Sequence, residues 1–375
     1  FNIDTPSKLN AHEAAVYVQD DFDVTDALRI NAGLRYSWFA HVGPYHEYLT
    51  NAQGNNTGSR DYAAGDVIAQ YGGLEPRFSL RYTLDKNNSL KAGVNRNMQY
   101  VHLASFSSIG LPTDTWIPSG KNVKPQEAVQ YALGWFRDIK DRTYEGSVEV
   151  YYKDMYNQIE YAEGASPDDG GNANYDAMLV FGKGWSYGAE FFLKRRLGKL
   201  TGWVGYTWSK TERKFPDVDN GIPFPSRWDR RHDVSVVAGY TLNDRWTFGG
   251  TFVYSTGQAT TLPVQRYFIE GRLVSQYTSR NGFRMVPYHR LDLAATLKNK
   301  PTKQVTDKAS GEVSTVQRKY RSSWTFSVYN VYNRKNPYFY YFDASSDTGT
   351  AGLTIQAKQV SLFSILPSIT WNFEF

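Results

Sequence analysis

The chain has 375 residues, 41% of them hydrophobic and 16% aromatic, with 28 Tyr, 10 Trp, no Cys and a formal net charge of +5. A mean hydropathy of −0.54, with no apolar run of about 18 residues, excludes a helical membrane protein. The positive balance is too mild and dispersed for a nucleic-acid binder, and the missing cysteines exclude a disulfide framework.

Residues 12–23 and 28–39 predict a hairpin around Val24-Thr25-Asp26. In its second strand Leu28, Ile30, Ala32, Leu34, Tyr36 and Trp38 alternate with Arg29, Asn31, Gly33, Arg35 and Ser37. Period-two alternation marks a strand with one apolar and one wet face. A polar stretch follows, and then strands 76–85 and 88–100 with Asp85-Lys86-Asn87-Asn88 between them. The same reading gives strands 125–138, 142–160, 184–196, 199–212, 229–242, 245–257, 286–298 and 320–333, and a closing strand within 361–375. Connections alternate between two to four residues and long loops, with one exception. The stretch 299–319 falls where a short turn is due and is rich in Lys, Thr and Ser, so a mobile segment is expected there.

The closing stretch sets the class. Phe375, Phe373, Trp371, Ile369, Pro367, Ile365 and Phe363 share one face, opposite Glu374, Asn372, Thr370, Ser368 and Ser364, with Leu366 the exception. Soluble strands are usually about 5–6 residues, whereas a membrane-crossing strand needs about 9–11. In a membrane barrel every second residue faces water, so a polar average coexists with a greasy outer surface, and abundant Tyr and Trp fit the interfacial girdles. The expected fold is therefore all-β, part of a transmembrane antiparallel β-barrel with outer-membrane lipids around it, short turns in the periplasm and long loops outside. About thirteen strands are counted. An odd number does not close with both ends on one side, so residues 1–375 are expected to be the C-terminal part of a larger barrel.

Several stretches resemble TonB-dependent outer-membrane receptors. They are VYVQDDFDVTDALRINAGLRYSWF (16–39), YGAEFFLKRRLGKLTGWVGYTWSKTERKF (187–215), FPSRWDRRHDVSVVAGYTLNDRWTFGGTFVYSTGQATTLP (224–263), VPYHRLDLAATLK (286–298), FSVYNVYNRKNPYFYYF (326–342) and ILPSITWNFEF (365–375). The pattern is similar to the branch with a carboxypeptidase-regulatory-like N-terminal extension. The resemblance implies a barrel of about 22 strands closed by a plug, of which these would be the last thirteen. It also implies that the plug and the earlier strands, together with the peptide that recruits the TonB energy-coupling complex, lie upstream. Phe375, with Phe373 and Trp371, resembles the terminal aromatic signal read by the barrel-assembly machinery.

Catalytic and metal readings are disfavoured. Gly184-Trp185-Ser186-Tyr187-Gly188 has the form of a nucleophile elbow, but that motif needs a strand–turn–helix, and these residues open an alternating strand. His41, His46 and Glu47 have no ligand spacing of a known kind. Asp168-Asp169-Gly170-Gly171, with Asn172 and Asp176, fits no EF-hand register. No cofactor and no metal are expected. Strand parity places Arg29, Arg35, Arg81 and Arg290, with Glu145, Glu149, Glu190 and Asp292, on the water face. Hydrating the lumen and contacting a plug is the plain role for these groups; the arginines are also candidates for a substrate path. Trp116, Tyr267 and Tyr338, with Phe268, Phe339 and Tyr341, are candidate loop contacts to a solute. The leading expectation is energy-coupled uptake of a scarce solute. The alternative is a scaffold barrel for surface lipoproteins, and a plug with an energy-coupler box separates the two.

Overall fold

The computed structural model describes residues 8–50, 56–104, 115–163, 178–262, 265–269, 272–276, 279–306, 312–346 and 353–374. Thirteen strands follow one another in chain order through a single antiparallel sheet. They are β1 (Asn10–Asp23), β2 (Leu28–Val42), β3 (Val67–Asp85), β4 (Asn88–Gln99), β5 (Gln126–Ile139), β6 (Tyr144–Tyr161), β7 (Leu179–Arg195), β8 (Leu200–Lys214), β9 (His232–Thr241), β10 (Trp246–Ser255), β11 (Tyr288–Lys298), β12 (Arg321–Tyr329) and β13 (Leu366–Glu374). A two-residue strand, Phe224–Pro225, adds to the far end of β8. The sheet is open, with β1 and β13 as its edges.

Register carries the alternation of each strand across the whole sheet. Phe22 lies opposite Ile30, and the row continues through Leu80, Ala92, Leu133, Val150, Ala189 and Trp208. Another row runs Leu193, Val204, Val236, Phe252, Leu291. A one-residue slip in any strand would move its apolar set to the wrong face, and none occurs within these rows. Near the short-turn end, Trp246, Leu297, Trp324 and Trp371 are successive partners. This is the aromatic girdle expected at an interface, with Trp324 and Trp371 stacked at 6.0 Å.

Loops lie almost wholly at one end. There, β3, β6 and β7, with 19, 18 and 17 residues, are longer than a bilayer crossing requires. Their outer ends are where the buried residues collect. Ala104, Ile117, Val123, Ile159, Tyr161 and Leu179 form one apolar core, and Phe215, Val218 and Phe224 form another. A β-bulge between Met155 and Gln158, with Asn157 at φ 53°, marks where β6 leaves the regular wall.

Several sequence expectations need correction. The stretch 40–75 is not a plain loop: it holds the hairpin Tyr45–Thr50/Asn56–Tyr62 and the first nine residues of β3. The stretch 299–319 is not shapeless, because Thr302–Thr306 pairs with Val313–Gln317 as a two-stranded ribbon. The closing strand starts at Leu366, so Phe363 and Ile365 precede it. The cause is at the end of β12. Asn330 takes a left-handed φ of 54°, which Asn tolerates, and its side chain ties back to Arg334 through N and O. Strand 320–333 therefore stops at Tyr329, and Ile365 N–H caps Asn333 Oδ1 instead of entering the ladder.

Candidate functional site

The polar face and the loop layer above it carry the charged chemistry. Asp229 is fully buried and sits between two cations: Arg284 makes a close ion pair with its Oδ2, and Arg231 lies 3.5 Å from the same oxygen. Thr211 N–H donates to its Oδ1 at 2.7 Å, and Arg284 also donates to the Asp229 carbonyl. A buried carboxylate persists when it is paired and hydrogen-bonded on every side. Glu160 plays the same part for Arg213 at 3.5 Å and Arg280 at 3.9 Å. Arg280 also ties three loops together, through the Tyr161 carbonyl and, by its own N–H, Asp219.

A third group stands on β11 and β12. Arg290 donates to Asp292 at 2.9 Å and to the hydroxyls of Tyr288 and Tyr329, both at 2.8 Å. Its guanidinium lies 4.1 Å from the Tyr329 ring centroid, a cation–π stack. Asp292 is fixed in turn by the Asn330 N–H.

The loop layer is itself cross-linked. Lys121 donates to Glu47 at 2.8 Å and contacts the Tyr62 hydroxyl, which in turn donates to Glu47 at 3.0 Å. The hydrogen bond to Glu47 raises the Lys121 pKa. His102 is completely buried, with Nε2 2.9 Å from the Ser119 hydroxyl. Burial lowers its pKa from 6.5 to about 4, so the ring is neutral at neutral pH. Unfolded, it takes up a proton as pH falls through 6.5, while the folded ring resists until about 4. Stability is therefore complete above that window and falls by up to about 3 kcal/mol across it. Protection factors from hydrogen exchange in Val101–Ala104 and Thr115–Pro118 are expected to drop between pH 7 and pH 4.5, and His102→Gln should flatten that dependence. Equal pH dependence in the variant would remove His102 as the cause.

The sequence-predicted candidates fall into separate places. Arg29 forms a two-pronged pair with Asp21 at 2.8 Å near the short-turn end, with Arg81 opposite it in register. Arg35 lies 3.4 Å from the buried Glu75. Trp116 is 62% exposed, on a hairpin strand paired with Val101–Ala104. Tyr267 belongs to the hairpin Gln265–Ile269/Arg272–Gln276, and its side chain lies outside the described residues, as does that of Phe268. Tyr338 stacks edge-on against Phe339, which contacts Tyr341. These aromatics thus stand on three different loops of one end. Trp371 and Phe373 share the apolar face with ring centroids 4.8 Å apart, while Phe375 and the 168–176 loop lie outside the described residues.

The weak motifs have structural occupations. Ser186 is mid-strand, with its hydroxyl 2.8 Å from that of Thr211. His46 pairs with Asp61, whereas Glu47 is held by Lys121 and His41 is buried against Tyr45. Among the described residues no group of three potential metal ligands gathers. The two acid-centred arginine clusters were missed from sequence. Their one legible trace is Asp229 lying within an arginine-rich run, Arg227 to Arg231.

A sheet with a continuous apolar face, a polar face and loops massed at one end is the wall of a transmembrane β-barrel. Residues 1–333 match the family model for the TonB dependent receptor-like β-barrel, and the chain belongs to that family. Its members are outer-membrane transport receptors rather than enzymes. No curated protein matches the sequence. Among solved structures, the ferripyoverdine receptor of the Pseudomonas aeruginosa outer membrane is similar at 16% identity and TM-score 0.57, over 99% of this chain and 40% of that one. The siderophore receptor PiuA of Acinetobacter baumannii is similar at 13% identity and TM-score 0.57, over 97% and 43%. The FrpB iron transporter of Neisseria meningitidis follows at 14% and 0.53, over 98% and 46%. The chain thus spans less than half the length of these receptors.

Proposed function

We propose that the chain forms the C-terminal part of the wall of a receptor that is integral to a Gram-negative outer membrane and imports a scarce solute with energy delivered through TonB. The observation carrying this reading is the match of the thirteen-strand open sheet, over nearly its whole length, to part of receptors more than twice as long. In this reading the plug, the earlier strands and the contact to the TonB complex come from upstream. The long loops face outward, the short turns face the periplasm, and Trp371, Phe373 and Phe375 present the assembly signal. Arg29, Arg35, Arg81 and Arg290 then line the solute path, and Trp116, Tyr267 and Tyr338 offer rings to the solute from above. Binding residues on loops over a rigid scaffold are the usual arrangement.

The test uses cells carrying the full-length receptor and a panel of labelled ferric chelates, cobalamin, oligosaccharides and peptides. Deleting TonB is expected to abolish uptake and spare surface binding of whichever solute the receptor takes. Deleting residues 103–122 is expected to weaken that binding while the flanking strands stay paired. Uptake persisting without TonB would favour a passive pore and end this reading.

A further inference from the structure

The short-turn end carries one anomaly. Five of its six connections are tight, whereas residues 299–320 rise into the ribbon Thr302–Thr306/Val313–Gln317. Residues 298–321 contain seven Lys and Arg against two Asp and Glu, a surplus of +5 that equals the formal net charge of the whole chain. The charge that composition suggests is dispersed is in fact concentrated here, and the rest of the sequence is balanced. Lys300, Lys303 and Lys319 are exposed and make no ion pair among the described residues.

The ribbon is firmly rooted. Asn299 N–H donates to the Ser322 carbonyl and Arg318 N–H to the Pro301 carbonyl, both at 2.9 Å, so the β11–β12 ladder continues into its base. Beyond the base, residues 303–306 and 312–317 are all exposed among the described residues. Val305, Val313 and Val316 are 39%, 57% and 44% exposed, and both strands keep an unpaired backbone edge. A two-stranded ribbon alone in water is marginal, and an open edge is a template for an added strand.

We propose that this ribbon is a docking surface for an extended acidic polypeptide, which adds to it as a further strand. The position of the two cations that flank the ribbon favours a polypeptide over a lipid surface. In register, Lys298 and Arg321 fall on the polar side of the sheet, with Ser323 and Glu374, and not on the apolar side with Leu297 and Trp324. Alternating Thr, Gln and Ser suit a solvated strand, and the surplus positive charge selects an acidic one. The proposal rests on the orientation given above, in which the short turns lie in the periplasm.

The experiment measures fluorescence anisotropy of a labelled peptide alternating Glu with Thr and Val, titrated with the full-length receptor in detergent. Its folded state is checked by heat-dependent gel mobility. Saturable, salt-sensitive binding is expected. It should fall at least about tenfold in Lys300→Glu/Lys303→Glu/Lys319→Glu, and similarly for a peptide N-methylated at alternate amides, which keeps its charge but cannot join a ladder. No binding by the folded receptor would overturn the proposal. So would equal binding by the variant, or retention by phosphatidylglycerol vesicles without peptide binding. Separately, a membrane-impermeant reagent applied to intact cells should fail to label cysteine placed at Lys303. Labelling there would remove the orientation, and the proposal with it.

Discussion

Asp229→Ala is expected to destabilise the loop layer by about 1–3 kcal/mol, the cost of leaving a buried N–H without its acceptor and two half-buried cations without their counter-charge. Arg231 and Arg284 would lose their shared acid, and Thr211 N–H its acceptor. The effect should appear as lost exchange protection and new protease cleavage within residues 224–231 and 279–285, with the wall strands β9 and β10 between them unaffected. Replacing both Asp229 and Arg284 with Leu should recover part of the loss, since an apolar pair of similar size is often no worse than a buried ion pair. A double-mutant cycle isolates the coupling. A cost below about 1 kcal/mol for the single substitution would mean that solvent, not the fold, holds these charges.

Val204→Arg is expected to cost about 2–4 kcal/mol in a bilayer, and Thr207→Arg much less. Val204 lies in the apolar row between Leu193 and Val236, whereas Thr207 lies opposite Glu190 and Asp233 on the other face. Unfolding of the full-length receptor from vesicles in guanidinium measures both. Equal costs would mean that the faces of β8 are assigned wrongly.

The wall was legible in the sequence because lipid on one side and water on the other force a two-residue period, which the wall strands keep with few exceptions such as Val237 and Leu366. Even the count of thirteen followed from it. Legibility stopped where chain segments rise above the bilayer. The first half of β3 has buried contacts on loop hairpins rather than lipid on one face, so its alternation is blurred by Gly72, Gly73 and Glu75. The Asp229 centre is closed by Arg284, 55 residues away, and no local pattern encodes such a meeting. The ribbon at 302–317 hid because one face carries Thr302, Gln304, Thr306 and Val313 and the other Lys303, Val305, Ser314 and Val316, with too little contrast to stand out. Arg29, Arg35, Arg81 and Arg290 were placed on the polar face by parity alone. Asp21 and Glu75, the partners of Arg29 and Arg35, became visible only with the register.

One face of this sheet meets lipid and the other meets water. Because the chain has no cysteine, single cysteines at each position from 247 to 254 can carry a spin label in an otherwise cysteine-free full-length receptor reconstituted in vesicles. Collision rates with oxygen, which concentrates in lipid, are predicted to peak at 248, 250, 252 and 254. Collision with a water-soluble nickel chelate should peak at 247, 249, 251 and 253, out of phase by one residue. Two in-phase profiles, or chelate access at Phe252 equal to that at Thr251, would contradict the account.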